Sequence, residues 1–131
     1  MSHLLASYRL SELLGMQYVM GADGTDRKID CIHLCLHALD NFGIPRPDLD
    51  QQWYCTGAMT HLRDLRKWGR HIESPTYNGD ILWIGGGGPT FAVVWDSGIL
   101  HINRQSESVS WCPIGRILNY RAYRYCPTSA S

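Results

Sequence analysis

The chain has 131 residues, of which 44% are hydrophobic and 18% charged, enough apolar material for one domain with a core. Twelve Lys plus Arg balance twelve Asp plus Glu, so the net charge of zero leaves no electrostatic footprint for nucleic acid or an anionic membrane. No apolar run reaches the length that spans a bilayer.

The opening M-S-H-L-L-A-S-Y-R-L has polar residues throughout and no basic stretch ahead of an apolar one, so a secretory signal is not expected. Residues 3–14 read as a helix with Leu4, Leu5, Tyr8 and Leu13 near one face, closed by Gly15. Residues 16–29 read as a loop rich in Gly and Asp. A second helix is predicted over 31–42, capped by Asp30 and stopped at Gly43-Ile44-Pro45. Cys31, Cys35 and Leu39 share one of its faces, and Ile32, Leu36 and Leu39 or Phe42 form an adjoining apolar stripe. After an irregular stretch over 45–56, a third helix over 58–68 carries Met59, Leu62, Leu65 and Trp68 as its buried stripe and ends at Gly69. Residues 71–79 read as a connection. The second half is β in character: strands over 81–84, 90–95, 99–103, 109–112 and 120–125, with a hairpin turn at Asp96-Ser97-Gly98 and a polar tail from about 126. Helices first and an antiparallel meander afterwards spell an α+β domain.

Five cysteines, Cys31, Cys35, Cys55, Cys112 and Cys126, include no C-x-x-C pair; an odd number so spaced argues against a disulfide framework and for folding in a reducing cytoplasm. Cys31 follows the cap Asp30 directly, where unpaired N–H groups and the partial positive charge of a helix start favour thiolate over thiol. It is therefore a candidate nucleophile, against the bland alternative of a small buried cysteine that packs as an apolar residue. Cys31, His33, Cys35 and His37 alternate. On a strand all four would share a face and suit zinc; on a helix the cysteines and histidines point to different sides, so no metal site is expected from this stretch. The glycines at 85–88 precede a strand and no G-K-S or G-K-T follows, so they read as a hairpin connection and not a phosphate loop. Arg63, Arg66, Lys67 and Arg70 read as a solvated helix face. Five Trp and seven Tyr against two Phe point to amphipathic aromatic surfaces suited to binding or assembly, with Trp53, Tyr54, Trp83, Trp95 and Trp111 as candidates beside core packing.

The order of these parts resembles the NlpC family of papain-like cysteine peptidases, particularly the small versions encoded with bacteriophage tails. The counterparts are Tyr18, the loop over 21–25, Asp30-Cys31, Gly79-Asp80, the hairpin T-F-A-V-V-W-D-S-G-I-L-H-I and the ending R-I-L-N-Y-R-A-Y-R. The resemblance covers about residues 4–125. It implies a cysteine that attacks a peptide carbonyl in bacterial cell wall stem peptides, a histidine base at the start of the hairpin, a polar residue on the partner strand that orients the base, and a tyrosine that helps hold the oxyanion. On those positions stand Cys31, Thr90, His101 and Tyr18.

Thr90 cannot accept a proton at neutral pH, and Ile32-His33 replaces the small residue usual after the Asp-Cys pair. Three readings stay open: a degenerate member that keeps the fold without the chemistry, an active enzyme in which His101 or His33 serves Cys31, or a different hairpin register. The resulting expectation is a single α+β, papain-like domain over 1–131 with the Cys31 helix packed on an antiparallel sheet. The resemblance implies a tail or baseplate component of the virion, made in the host cytoplasm and related to peptidoglycan endopeptidases. Other tail proteins and cell wall peptides would be its partners, and no cofactor is implied. The alternative is a non-enzymatic structural or docking module.

Overall fold

The computed structural model describes residues 8–47, 58–85, 90–117 and 119–127, with the backbone alone at 58–60. The expectations for residues 3–7, for Trp53, Tyr54 and Cys55, for the glycines at 86–88, for the Met59 side chain and for the tail beyond 127 lie outside them.

The chain runs through α1 (Leu10–Leu13), β1 (Gln17–Tyr18), β2 (Lys28–Ile29), α2 (Cys31–Phe42), α3 (Ala58–Trp68), β3 (Gly69–Ile72), β4 (Ile81–Ile84), β5 (Thr90–Trp95), β6 (Gly98–Asn103), β7 (Ser108–Pro113) and β8 (Tyr120–Tyr125). Its class is α+β, with helices packed on one sheet of eight strands in the order β2-β1-β7-β6-β5-β4-β8-β3.

Three elements depart from the sequence reading. The region over 16–29 is not all loop, because β1 and β2 pair in parallel through Gln17↔Lys28 and Tyr18↔Ile29. Residues 69–72 are not a helix stop and a connection: they form β3, which pairs antiparallel with β8. The meander β4 to β7 is present, but β8 does not extend it; the strand returns to the other side of β4, from Ile81↔Tyr123 to Ile84↔Tyr120.

α2 is the element the core surrounds. Asp30 caps it by accepting the His33 N–H, and Gly43, in left-handed backbone, closes it onto the Leu39 and Asp40 carbonyls. Cys31, Ile32, Leu34, Cys35, His37, Ala38 and Leu39 are all buried, so burial extends well beyond the single stripe read from the sequence. One sheet face, with Ile81, Phe91, Val93, Leu100, Val109 and Tyr123, packs on α2 and on Leu62, Leu65 and Trp68 of α3. The opposite face carries a smaller cluster of Leu82, Ala92, Val94, Ile99 and Ala122, flanked by Ile114 and Ile117. Arg63, Arg66, Lys67 and Arg70 are exposed, as the solvated-face reading requires.

Gly79-Asp80 marks the entry to β4. Gly79 has φ +96°, and a Cβ there would lie 2.3 Å from Ile44 Cδ1, so both backbone and space demand glycine. The buried Asp80 carboxylate accepts the Thr76 and Tyr77 N–H groups, each at 3.0 Å, and a two-pronged Arg124 guanidinium at 2.9 and 2.8 Å. One carboxylate thus ties the turn before β4 to β8.

Candidate functional site

Asp30 and the loop before it set the geometry around Cys31. One Asp30 oxygen accepts the His33 N–H at 2.7 Å and lies 2.9 Å from His33 Nδ1. The other accepts the Gly21 N–H at 2.9 Å, so the cap also holds the Gly-rich loop. From the helix side, His37 Nε2 lies 2.8 Å from the Asp23 carbonyl, which makes Nε2 the donor; His37 Nδ1 is buried without a hydrogen-bond partner. Tyr8 packs edge-on against His37. Gly24 passes beneath both with φ +111°, where a Cβ would sit 3.1 Å from the Tyr8 ring.

Cys31 is the first residue of α2 and is only 9% exposed. The backbone N–H groups of Cys31, Ile32 and Phe91 lie toward its sulfur and favour the thiolate. Burial acts more strongly the other way, the Asp30 carboxylate adds to it, and the thiol is pushed up to about 11. This overturns the expectation that the helix start would leave a thiolate. The residue that caps the helix is itself an anion, and it stands beside the sulfur. Burial, with help from the Cys31 and Asp30 charges, likewise raises the Tyr18 hydroxyl, so it stays a neutral donor at pH 7.

Tyr18, Cys31 and Thr90 line one open cleft of about 430 Å³, together with Ile102, Asn103, Arg104 and Glu107. His101 is not among the lining residues. The hairpin register is the reason. β5 and β6 pair at Trp95↔Gly98, Val94↔Ile99 and Val93↔Leu100; past that point β5 pairs with β4 and β6 with β7. The two strands part there, and the N-terminal end of α2 faces the gap. Counting outward in the same register sets Thr90 against Asn103, and His101 against Ala92. His101 is half-buried opposite Ser110 of β7, and burial lowers its pKa. Asn103 Oδ1 accepts the N–H groups of Gln105 and Ser106, so its side-chain oxygen serves the turn. His33 is engaged with Asp30, as described. His61 sits at 3.4 Å from Trp83 Nε1 and edge-on to Phe91, and His71 packs on Tyr123.

The sequence reading missed Asn103, Arg104 and Glu107. The run N-R-Q-S-E-S between two strands marks a turn; only the three-dimensional pairing of β1 with β7, Gln17↔Ser108, brings that turn to Cys31. Among the described residues, no group of three or more His, Cys, Asp or Glu is placed to hold a metal ion.

No protein-family model and no curated protein sequence matches the chain. Solved structures do. The NlpC/p60 domain of the peptidoglycan hydrolase SagA superposes with a TM-score of 0.55 at 18% identity, over 88% of this chain and 92% of that one. The fold is that of NlpC/p60 domains. NlpC2 from Trichomonas vaginalis gives a TM-score of 0.58 at 18% identity over 88% of this chain, which spans 44% of that protein. The P60 domain of the M. avium subspecies paratuberculosis antigen MAP1204 gives 0.52 at 19% identity, over 89% and 92% of the two chains. The NlpC/p60 fold accounts for the layout here: Cys31 opens the buried helix, and the β5–β6 hairpin borders the cleft above it.

Proposed function

We propose that this chain is a cell-wall-peptide-binding domain of the NlpC/p60 type that descends from cysteine endopeptidases and has lost efficient hydrolysis. The observation that carries the reading is the make-up of the cleft. A tyrosine hydroxyl and a cysteine stand where an acyl-transfer site needs them, with Thr90 at the position of the base. For Cys31 to attack a carbonyl, the S–H bond must break and its proton must move to a base as the S–C bond forms. Threonine cannot take that proton. A thiol pushed up to about 11 is ionised at pH 7 in roughly one molecule in ten thousand. Tyr18 and the Cys31 N–H remain suited to hold a peptide carbonyl oxygen, so binding outlives turnover.

The deciding measurement pairs a zymogram on purified bacterial cell wall with binding of soluble stem peptides. Measurable binding with no clearing beyond that of Cys31→Ala is the expected result. Strong clearing abolished by Cys31→Ala would overturn the loss of hydrolysis. Thr90→His, which restores an imidazole to the cleft, is expected to introduce detectable thiol-dependent clearing.

The biological setting we propose is a bacteriophage tail or baseplate, on the likeness of the ending R-I-L-N-Y-R-A-Y-R to tail-encoded members. Detection of the chain in purified tails checks that placement. A second reading, a docking module of the same assembly, is favoured by exposed apolar side chains, Met20 at 65% and Trp111 at 40%. It requires that Cys31→Ala assemble normally and that Trp111→Ala fail to assemble.

A further inference from the structure

The mouth of the cleft carries one full positive and one full negative charge, Arg104 and Glu107. Both are exposed, and neither forms an ion pair among the described residues. The turn that presents them is held at several points. Asn103 Oδ1 accepts the Gln105 and Ser106 N–H groups at 2.9 and 3.1 Å. The Glu107 N–H donates to the Asn103 carbonyl at 2.7 Å, and the Glu107 carbonyl accepts the Tyr18 N–H at 2.7 Å. That last bond joins the turn directly to the residue beside Cys31. The cation and the anion therefore stand on a braced support, at fixed places relative to the thiol, with Ile102 as the apolar wall between strand and turn.

A cleft with a guanidinium and a carboxylate side by side at its rim matches a ligand that brings a carboxylate and an ammonium together. We propose that Arg104 and Glu107 select short peptides ending in a diamino acid. Arg104 takes the free α-carboxylate through its planar fork of N–H donors, and Glu107 takes the side-chain ammonium. This deepens the peptide-binding reading above and rests on it. The preceding part of the peptide then runs past Ile102 toward Tyr18 and Cys31.

The probe is the stem tripeptide L-alanyl-γ-D-glutamyl-L-lysine, measured by calorimetry against the full chain. Two analogues accompany it: the α-carboxamide, and the form acetylated on the lysine side chain. Rim charges are partly solvated, so each analogue is expected to bind roughly fivefold to tenfold more weakly. In Arg104→Gln the acid and the carboxamide should bind alike, while the acetyl analogue stays penalised. In Glu107→Gln, which suits the same left-handed backbone (φ 53° at Glu107), the reverse should hold. Equal binding of all three peptides by the wild type, or discrimination that survives both substitutions, overturns the charge assignment and leaves peptide binding standing. Absence of binding by any peptide overturns both.

Discussion

Cys31 has two opposing influences on its acidity, and the residue scale decides between them. Three backbone N–H groups lie toward the sulfur, yet burial and the Asp30 carboxylate outweigh them. Asp30→Asn separates the charge from the cap, because an asparagine oxygen still accepts the His33 N–H. The Cys31 thiol should then become more acidic, and alkylation by iodoacetamide at pH 8 should quicken while the fold is kept. The apparent pKa from a rate-against-pH profile checks this, with Cys31→Ala identifying the reacting thiol; an unchanged profile would mean that the Asp30 charge has no hold on the sulfur. The same scale explains why the nucleophile position was legible and its state was not. Asp-Cys before an apolar run announces a cysteine in the first turn of a helix. Whether that turn opens to water depends on Phe91, which is sixty positions away in the chain.

Elements differ in how far the chain announces them. α2 has a cap, an apolar pattern and a left-handed glycine stop, three local signals that agree. β1 and β2 have two residues each, too few for any period, and they exist because the loop folds back under Asp30. β3 was hidden for another reason: G-R-H-I has a single apolar side chain, and its pairing with β8 is remote in sequence. The hairpin shows the sharpest limit. Its strands and turn were readable, but the parting of β5 from β6 beyond Val93↔Leu100 was not, and that parting decides that Asn103, and not His101, lines the cleft. Gly-Asp before β4 was recognised only through its family likeness; the structure supplies the physics. Asp80→Ala leaves the Arg124 guanidinium and two N–H groups without their acceptor. Arg124 keeps some access to water, so the expected loss is about 3 kcal/mol in urea unfolding. A loss below about 1 kcal/mol would place the carboxylate outside the ties that hold β4 to β8.

At the scale of the whole molecule, helices and sheet close over thiols that the native state keeps protonated. Burial raises the pKa of Cys31, Cys35 and Cys112 alike, and of the Tyr18 hydroxyl. Unfolding returns these groups to water, where a thiol ionises near its model value of 9.0. Between pH 9 and 11 the native state therefore binds more protons than the unfolded state, so stability is fully present below pH 9 and falls as pH rises. Cys31 alone should contribute a fall of about 2 kcal/mol between pH 8 and pH 11, since each pH unit in that window is worth about 1.4 kcal/mol. Cys31→Ala removes that contribution and leaves those of the other groups. At pH 8 the variant should be the less stable, by the apolar contact it gives up. By pH 11 the gap to the wild type should have closed by about 2 kcal/mol. Paired urea titrations across this range test it directly; two curves that stay parallel would mean that the sulfur ionises as readily in the folded chain as in the open one.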